Sequence, residues 1–177
     1  MLKWLAAALV AILTAFGIYI ALQPSQYTIT REAHINAPPE AVFAQVNDYH
    51  NWQQWSPWAK LDPDAKSTFD GAPSGQGAVF GWAGNSDVGE GKMTITDSKP
   101  NERIAMRLEF VKPMPGTSQT VFTFAPDGDG TRMTWTMSGE SSFAGRIVCA
   151  FVDMDKMVGS MFEKGMANLD ALLKSKS

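Results

Sequence analysis

The chain has 177 residues, enough for one domain of ordinary size and few for two. Apolar residues make up 45% and charged residues 19%, a balance that permits a packed core and excludes a wholly disordered chain. With 15 basic and 18 acidic residues the net charge is −3, so no basic excess drives nucleic-acid binding and we expect none. One cysteine and two histidines leave no disulfide framework and no cysteine- or histidine-rich metal site, so we predict neither metal nor cofactor.

The N-terminal segment is apolar and uncharged over residues 4–22. As a helix it spans about 28 Å, close to the hydrocarbon thickness of a bilayer. Trp4 and Tyr19 lie near its ends, where amphipathic rings favour the membrane interface. The pattern predicts an uncleaved transmembrane anchor in residues 1–23. The alternative is a cleaved secretory signal, for which Ala15-Phe16-Gly17 offers a weak cleavage site.

The membrane orientation depends on few charges. Lys3 and the terminal amine precede the apolar segment, and Arg31 is the first positive charge after it. The positive-inside rule then favours a cytoplasmic N-terminus, by a margin of about one charge. We therefore expect a single-pass protein with its domain, residues 24–177, exported and held close to the membrane by the short linker 23–26.

The domain is predicted to begin with a strand and a helix. Residues 27–35 alternate between apolar and polar and indicate a strand, and Ala37-Pro38-Pro39 opens a helix that ends at Asn47-Asp48. A tryptophan-rich loop or short helix follows at 51–58. Further strands, joined by short turns into an antiparallel meander, are predicted at 66–70, 76–83, 89–97, 102–112, 117–125 and 131–138.

The pattern changes to a helical period near Ser141. Apolar residues recur at helical spacing from Phe151 to Leu172, and Asp153 or Asp155 is the expected N-cap. An earlier start near Phe143, with an irregularity around Gly145, is the alternative. A long amphipathic helix must bury its apolar stripe, and only the meander is large enough to receive it. The fold class is therefore α+β.

Alternation along the strands assigns thirteen positions to the inward face of the sheet. All are apolar and none is ionisable: Phe80, Trp82, Met93, Ile95, Ile104, Met106, Leu108, Phe110, Phe122, Phe124, Met133, Trp135 and Met137. Both an ordinary core and a cavity for an apolar ligand fit this face. The methionines favour the cavity modestly, because their flexible thioethers suit adaptable apolar surfaces.

Catalytic chemistry is not evident in the sequence. His34 is expected to face solvent, His50 to lie on the surface after a helix end, and Cys149 to be a small buried residue within an apolar stretch. No nucleophile, acid–base or metal motif appears, so we predict no catalytic residue. Whether the protein is an enzyme stays open, with a non-enzyme preferred.

Both the order of elements and several segments resemble the SRPBCC superfamily (START-like, polyketide cyclase/dehydrase). The segments are INAPPEAVFAQVNDYHNWQQWSPW at 35–58, DPDAKSTFDGAPSGQGAVFGWAGN at 62–85, GEGKMTI at 89–95, GTRMTWTMSGE at 130–140 and VDMDKMVGSMFEKGMANLDALL at 152–173. The resemblance is to a bacterial branch that often carries an N-terminal membrane segment, which implies a bacterial-type inner membrane and a periplasmic domain. It also implies a helix-grip fold, in which a curved antiparallel sheet wraps the long C-terminal helix around an apolar cavity.

The leading hypothesis is a membrane-anchored domain that binds a hydrophobic small molecule or lipid in this cavity. The expected cavity walls are Trp82, Met106, Phe110, Trp135, Met137, Met154, Val158 and Met161, with Trp55 and Trp58 at the entrance. One alternative is a cyclase- or dehydrase-like enzyme on aromatic or polyketide substrates, whose cavity would contain an ionisable group. The other is a structural or partner-binding module with a filled core. The sequence specifies neither the ligand nor the oligomeric state.

Overall fold

An N-terminal helix precedes an α+β domain built on one curved antiparallel sheet, as predicted. The structure, a computed structural model, describes residues 1–176, and for Leu2 it describes the backbone only. The helices are α1 Leu2–Leu22, α2 Pro39–Val46, α3 Tyr49–Trp55, α4 Phe143–Cys149 and α5 Met154–Lys174, with a 3-10 turn at Trp58–Lys60. The strands are β1 Gln26–Ile35, β2 Lys66–Gly71, β3 Ala78–Ala83, β4 Glu90–Lys99, β5 Arg103–Lys112, β6 Gly116–Asp127 and β7 Gly130–Glu140.

The seven strands form one sheet in the order β1-β7-β6-β5-β4-β3-β2. Strands β2 to β7 make the predicted meander, because each pairs antiparallel with the next through a short connection. β1 pairs antiparallel with β7, with Gln26 opposite Glu140 and Ile35 opposite Thr131. We call the face of the sheet toward α5 the inner face.

The helix α1 is long and apolar enough to cross a membrane over Lys3–Leu22, by length and composition alone. Its side chains are almost all exposed, with Ile20 the one fully buried residue among those described. A core helix of a soluble domain would instead be mostly buried. The exposure therefore fits either a membrane span or a signal sequence.

The C-terminal helical region is two helices with a break at residues 150–153. The earlier start near Phe143 is confirmed, and the irregularity lies after Cys149 rather than around Gly145. Asp153 is the N-cap of α5, since its carboxylate accepts a hydrogen bond from the backbone N–H of Lys156 at 2.9 Å. The predicted burial of Cys149 is wrong: the thiol-bearing side chain is exposed, because the apolar stretch around it lies outside the core.

A cluster of aromatic rings joins α5 to the sheet. Phe162 of α5 stacks on Trp135 of β7, with ring centroids 4.2 Å apart and planes inclined by 7°. Trp52, Trp55 and Trp58 surround Trp135 at centroid distances of 5.5, 5.9 and 5.9 Å. The tryptophan-rich segment begins with a short helix, α3, rather than a loop, and its rings cap this part of the core.

An ion-pair network fixes α5 against β1. The guanidinium of Arg31 donates to Asp155 Oδ2 at 2.8 Å and to Glu163 Oε1 at 2.9 Å. Gly159 lies between these acids on the helix, and a Cβ there would overlap the guanidinium. The hydrogen bond from Arg31 lowers the pKa of Asp155, and the hydrogen bond to Asp155 raises the pKa of Arg31. Arg31 is therefore an ionisable residue on the inner face. It lies on β1, a strand that contributed none of the thirteen predicted inward positions.

We expect truncation of the stacked ring to weaken the domain strongly. Phe162 is 1% exposed, so Phe162→Ala should lower the free energy of unfolding by about 3–5 kcal/mol. Met157 on the same helix is 50% exposed, and Met157→Ala should change it by no more than about 0.5 kcal/mol. Urea denaturation followed by tryptophan fluorescence measures both values. Equal effects of the two substitutions would show that the stack does not hold α5.

The Arg31 network should make stability depend on pH. Because the folded-state pKa of Asp155 lies below its ordinary value of 3.8, the ion pair stabilises the fold at neutral pH. This contribution is lost as pH falls through the lowered pKa. Arg31→Met should thus lower the thermal midpoint at pH 7 and have a smaller effect at pH 3. Arg107→Met, on the outer face, is the control, and a pH-independent effect of Arg31→Met would contradict the prediction.

Candidate ligand-binding site

The helix α5 covers only part of the inner face. Arg31, in the middle of β1, contacts Asp155 in the first turn of α5. Asn36, just after β1, donates its backbone N–H to Asp170 Oδ1 near the end of α5, at 2.8 Å. The helix therefore runs along the second half of β1 and beyond it. The other end of the sheet, where β1 begins, lies past the N-terminus of α5.

We call this uncovered part of the inner face the open end. Its residues form two rows of facing partners across the sheet, given by the strand register. The first row contains Tyr27, Gly139, Ser118, Leu108, Met93 and Phe80, and the second contains Gly116, Phe110, Gly91 and Trp82.

Three large apolar residues of the open end are less buried than those of the covered part, although Phe80, Met93 and Ser118 in the first row are buried as well. Met106, Phe122 and Met133, under the helices, are 0% exposed. Leu108, Phe110 and Trp82 are only half-buried, although they lie on the same inner face. Large apolar side chains are thus left incompletely covered at one end of the inner face, which is the geometry expected of an apolar binding site.

Two glycines let aromatic rings lie flat on the open end. The ring of Tyr27 crosses β7 above Gly139, where a Cβ would come within 2.6 Å of the Tyr27 hydroxyl oxygen. The indole of Trp82 crosses β4 in the same way, 2.6 Å from a Cβ placed at Gly91. Because glycine has no side chain, each ring can approach the strand backbone closely. The result is a floor of flat rings on the sheet.

Hydrogen bonds and ring contacts fix the orientation of these two aromatic residues. Tyr27 hydrogen-bonds through its hydroxyl to Ser118 Oγ at 2.6 Å. The indole N–H of Trp82 donates to the backbone oxygen of Val88 at 3.0 Å. Trp82 also meets Phe110 edge to face, with centroids 6.0 Å apart. The floor is therefore ordered before any ligand binds.

Two buried polar atoms of the inner face have no hydrogen-bond partner among the described residues. They are Thr120 Oγ1, on a residue 3% exposed, and Trp135 Nε1, also on a residue 3% exposed. Thr120 lies between Met106 and Met137 in the sheet register, next to the open end. Since buried polar atoms are normally hydrogen-bonded, these two can interact with a polar group of a bound molecule or with water.

The predicted cavity walls fall into three groups. Met106, Trp135 and Met137 are buried on the inner face, and Trp82 and Phe110 are half-buried at the open end. The α5 residues are all half-buried: Met154, Val158 and Met161. Their assignment as walls stays a prediction.

The two predicted entrance residues differ in exposure. Trp55 is fully buried, and its indole N–H donates to the backbone oxygen of Gln45 at 3.1 Å. Trp58 is half-buried and meets Phe162 with centroids 6.3 Å apart. Trp58 thus lies outside Trp55, and the entrance role of both stays a prediction.

Sequence reasoning missed the polar members of the inner face. Tyr27 and Arg31 lie on the same face of β1 as Ile29. Ser118 and Thr120 lie on the same face of β6 as Phe122. The same period of two that located the apolar residues would have found them. They were overlooked because the face was assigned from its apolar residues.

The surface has two concavities that no α5 residue lines. A cleft of about 180 Å³ between α3 and β2–β3 is lined by Tyr49 and by His50, whose ring stacks on Phe69 at 4.1 Å. Burial raises the pKa of the Tyr49 hydroxyl. The second, about 740 Å³, is open and includes Arg107 and Gln119 of the outer face. It borders the open end, since Tyr27, Ser118 and Gly139 also line it. Within residues 1–176, no three acidic, histidine or cysteine side chains converge as metal ligands would.

The flat floor generates a prediction about Gly91. Gly91→Val should displace the Trp82 indole and break its hydrogen bond to Val88, because the new side chain would occupy the ring's position. Gly116→Val is the control, since a Cβ at Gly116 meets nothing within 4 Å. The indole N–H resonance of Trp82, assigned with Trp82→Phe, should shift in the first variant only. An unchanged resonance in Gly91→Val would contradict this placement.

Solved structures share this architecture. The protein CV1439 from Chromobacterium violaceum superimposes with a TM-score of 0.60 at 19% identity, covering 82% of this chain and 95% of that one. The protein Mll3558 from Rhizobium loti gives 0.56 at 25% identity, with 81% and 96% covered. DynU16, described as a protein in the dynemicin biosynthetic locus, gives 0.60 at 17% identity, with 85% and 48% covered. These likenesses show the fold.

At the level of sequence, no curated protein matches the chain. One family model does match, over residues 26–174, and its description is polyketide cyclase/dehydrase and lipid transport. The match spans the sheet and α5, including every residue of the open end, and leaves α1 outside. The chain therefore belongs to the polyketide cyclase/dehydrase and lipid transport family, within the SRPBCC superfamily.

Proposed function

We propose that this protein is a membrane-anchored binding domain for a hydrophobic small molecule or lipid, held on the inner face at the open end, beside the N-terminus of α5. The observation that carries the proposal is the incomplete burial of Leu108, Phe110 and Trp82, whereas the other inward apolar residues of β3 to β7 are buried. The family description, which includes lipid transport, supports it.

Affinity in such a site comes from removing apolar surface from water. A ligand that hides about 200–300 Å² of apolar area gains about 5–7 kcal/mol before the costs of ordering, at about 25 cal/mol per Å². Thr120 Oγ1 and the Tyr27–Ser118 pair lie among the apolar side chains and offer hydrogen bonds to one polar group. We expect the ligand to be mainly apolar, with a hydroxyl, carbonyl or carboxyl group at one end.

The anchoring part of the proposal rests on α1. Its length, its composition and its exposed side chains support an uncleaved span with the domain on the exported side. The sheet begins at Gln26, four residues after Leu22, so the domain would remain next to the bilayer. Tethering there would shorten the transfer of an apolar ligand to or from the membrane.

The test has two steps: detecting a bound molecule in the wild-type domain, and blocking the open end with a larger side chain. A protease site inserted between Gln23 and Pro24 of the full chain releases the domain, which is analysed without detergent by native mass spectrometry. We expect a retained species of a few hundred daltons. Leu108→Trp should abolish its retention, because the larger side chain fills the open end.

Thr123→Trp is the matched control, since Thr123 is exposed on the outer face of β6. It should retain the ligand as the wild type does. A domain that is ligand-free in the wild type, and that binds no added fluorescent fatty acid, would overturn the proposal. Equal loss in both tryptophan variants would show that the open end is not the site.

A cyclase- or dehydrase-like enzyme is the second candidate function. It is supported by the family description and by the 2.6 Å hydrogen bond between Tyr27 and Ser118, which places hydroxyl groups where they could contact a substrate carbonyl. Tyr27→Phe separates the two: an enzyme that needs this hydroxyl would accumulate substrate in the variant. A binding domain would carry a chemically identical molecule in both forms, even where loss of the hydroxyl weakens its retention.

A further inference from the structure

Apolar side chains outside α1 are exposed mainly at one end of the domain. Phe151 is 77% exposed and Phe143 49%, on or just after α4. Val111, near the end of β5, is 50% exposed, and Met114, in the turn between β5 and β6, is 44% exposed. Isolated exposed apolar residues are ordinary, whereas several on neighbouring segments indicate an interaction surface.

The strand register places both segments at the open end. The β5–β6 turn follows Phe110, which pairs with Gly116 in the outermost row of the open end. The segment of α4 follows Glu140, which pairs with Gln26 at the start of β1. The helix α1 connects to the domain at this same end, through the start of β1. Both exposed segments therefore lie on the side of the domain to which α1 is joined.

Direct contacts hold the α4 segment against α1. Arg146 donates from Nη1 to the backbone oxygens of Ala21 at 3.1 Å and Gln23 at 3.3 Å, the carbonyl groups at the end of α1. A cation at this position also interacts favourably with the helix dipole. Phe151 meets Phe16 with ring centroids 6.1 Å apart. The apolar surface of α4 is therefore continuous with the apolar surface of α1.

From these observations we propose that residues 143–152 and 111–115, the membrane-facing rim, lie in the interfacial layer of the bilayer that holds α1. This inference rests on the proposed anchoring by α1 and deepens the proposed function. The open end then faces the lipid, and an apolar ligand passes between bilayer and site without crossing water. The occupant of the rim is lipid, since a membrane that surrounds α1 must also meet the side chains that continue its apolar surface.

The only cysteine of the chain provides a probe that needs no substitution. Cys149 is exposed and lies within the rim, at the end of α4. The full chain is labelled there with an environment-sensitive fluorophore and reconstituted in phosphatidylcholine vesicles that contain lipids doxyl-labelled near the headgroup. We expect roughly twofold quenching and a blue-shifted emission, since interfacial residues lie about 5–10 Å into the headgroup–acyl boundary.

Two relocated probes, both in the Cys149→Ser background, test the geometry. Met114→Cys, at the other part of the rim, should be quenched to a similar extent. Asp129→Cys lies in the β6–β7 turn, which joins the opposite ends of those strands, and should show no quenching. This turn is exposed, so the label there reports a water-facing site on the same domain.

Alkaline carbonate extraction of the same vesicles separates the two proposals. If the chain resists extraction but the probes at Cys149 and position 114 are quenched no more than that at position 129, the rim inference is overturned and the anchor stands. If carbonate releases the chain, the anchor fails and the inference fails with it. Quenching at both rim positions in a carbonate-resistant chain supports the inference.

Discussion

The stack of Phe162 on Trp135 is the contact on which the rest of the domain depends. It joins the long C-terminal helix to β7, the strand next to β1 in the sheet, and Trp52 and Trp55 pack around it. Gly165 makes this possible, because a Cβ there would lie 3.1 Å from the Trp135 ring. With so much aromatic volume concentrated under one part of α5, the helix is held over that part. The remaining inner face is left incompletely covered.

The shape of the open end depends on glycines as well as on large aromatic residues. Gly139 and Gly91 allow the rings of Tyr27 and Trp82 to approach the strand backbone closely. The same end of the sheet receives the N-terminal helix and the α4 segment, which contact each other through Arg146. A binding site and a membrane-facing rim at one end of the domain form a coherent arrangement for moving apolar molecules, as we have proposed.

Much of this fold followed from local patterns. Ten of the thirteen inward positions are buried and the other three are half-buried, because a strand in a one-sided sheet must alternate. The same reasoning failed at Cys149, since an apolar stretch indicates contact with something apolar but does not say whether that is the core. Arg31 was missed because the inner face was assigned from its apolar residues alone. Its ion pairs could not be read locally, since Asp155 and Glu163 lie more than a hundred residues away.

The sequence alone determined the order of elements, the faces of the strands, the apolar N-terminal helix and the family resemblance. Each of these is encoded by spacing within a short window or by segments that can be recognised one at a time. Only the tertiary structure decided which inward residues stay partly open, which glycines lie beneath aromatic rings, and that α4 contacts the end of α1. Those features depend on where α5 crosses the sheet and on the register of distant strands. Packing between remote segments sets both, and no local period records them.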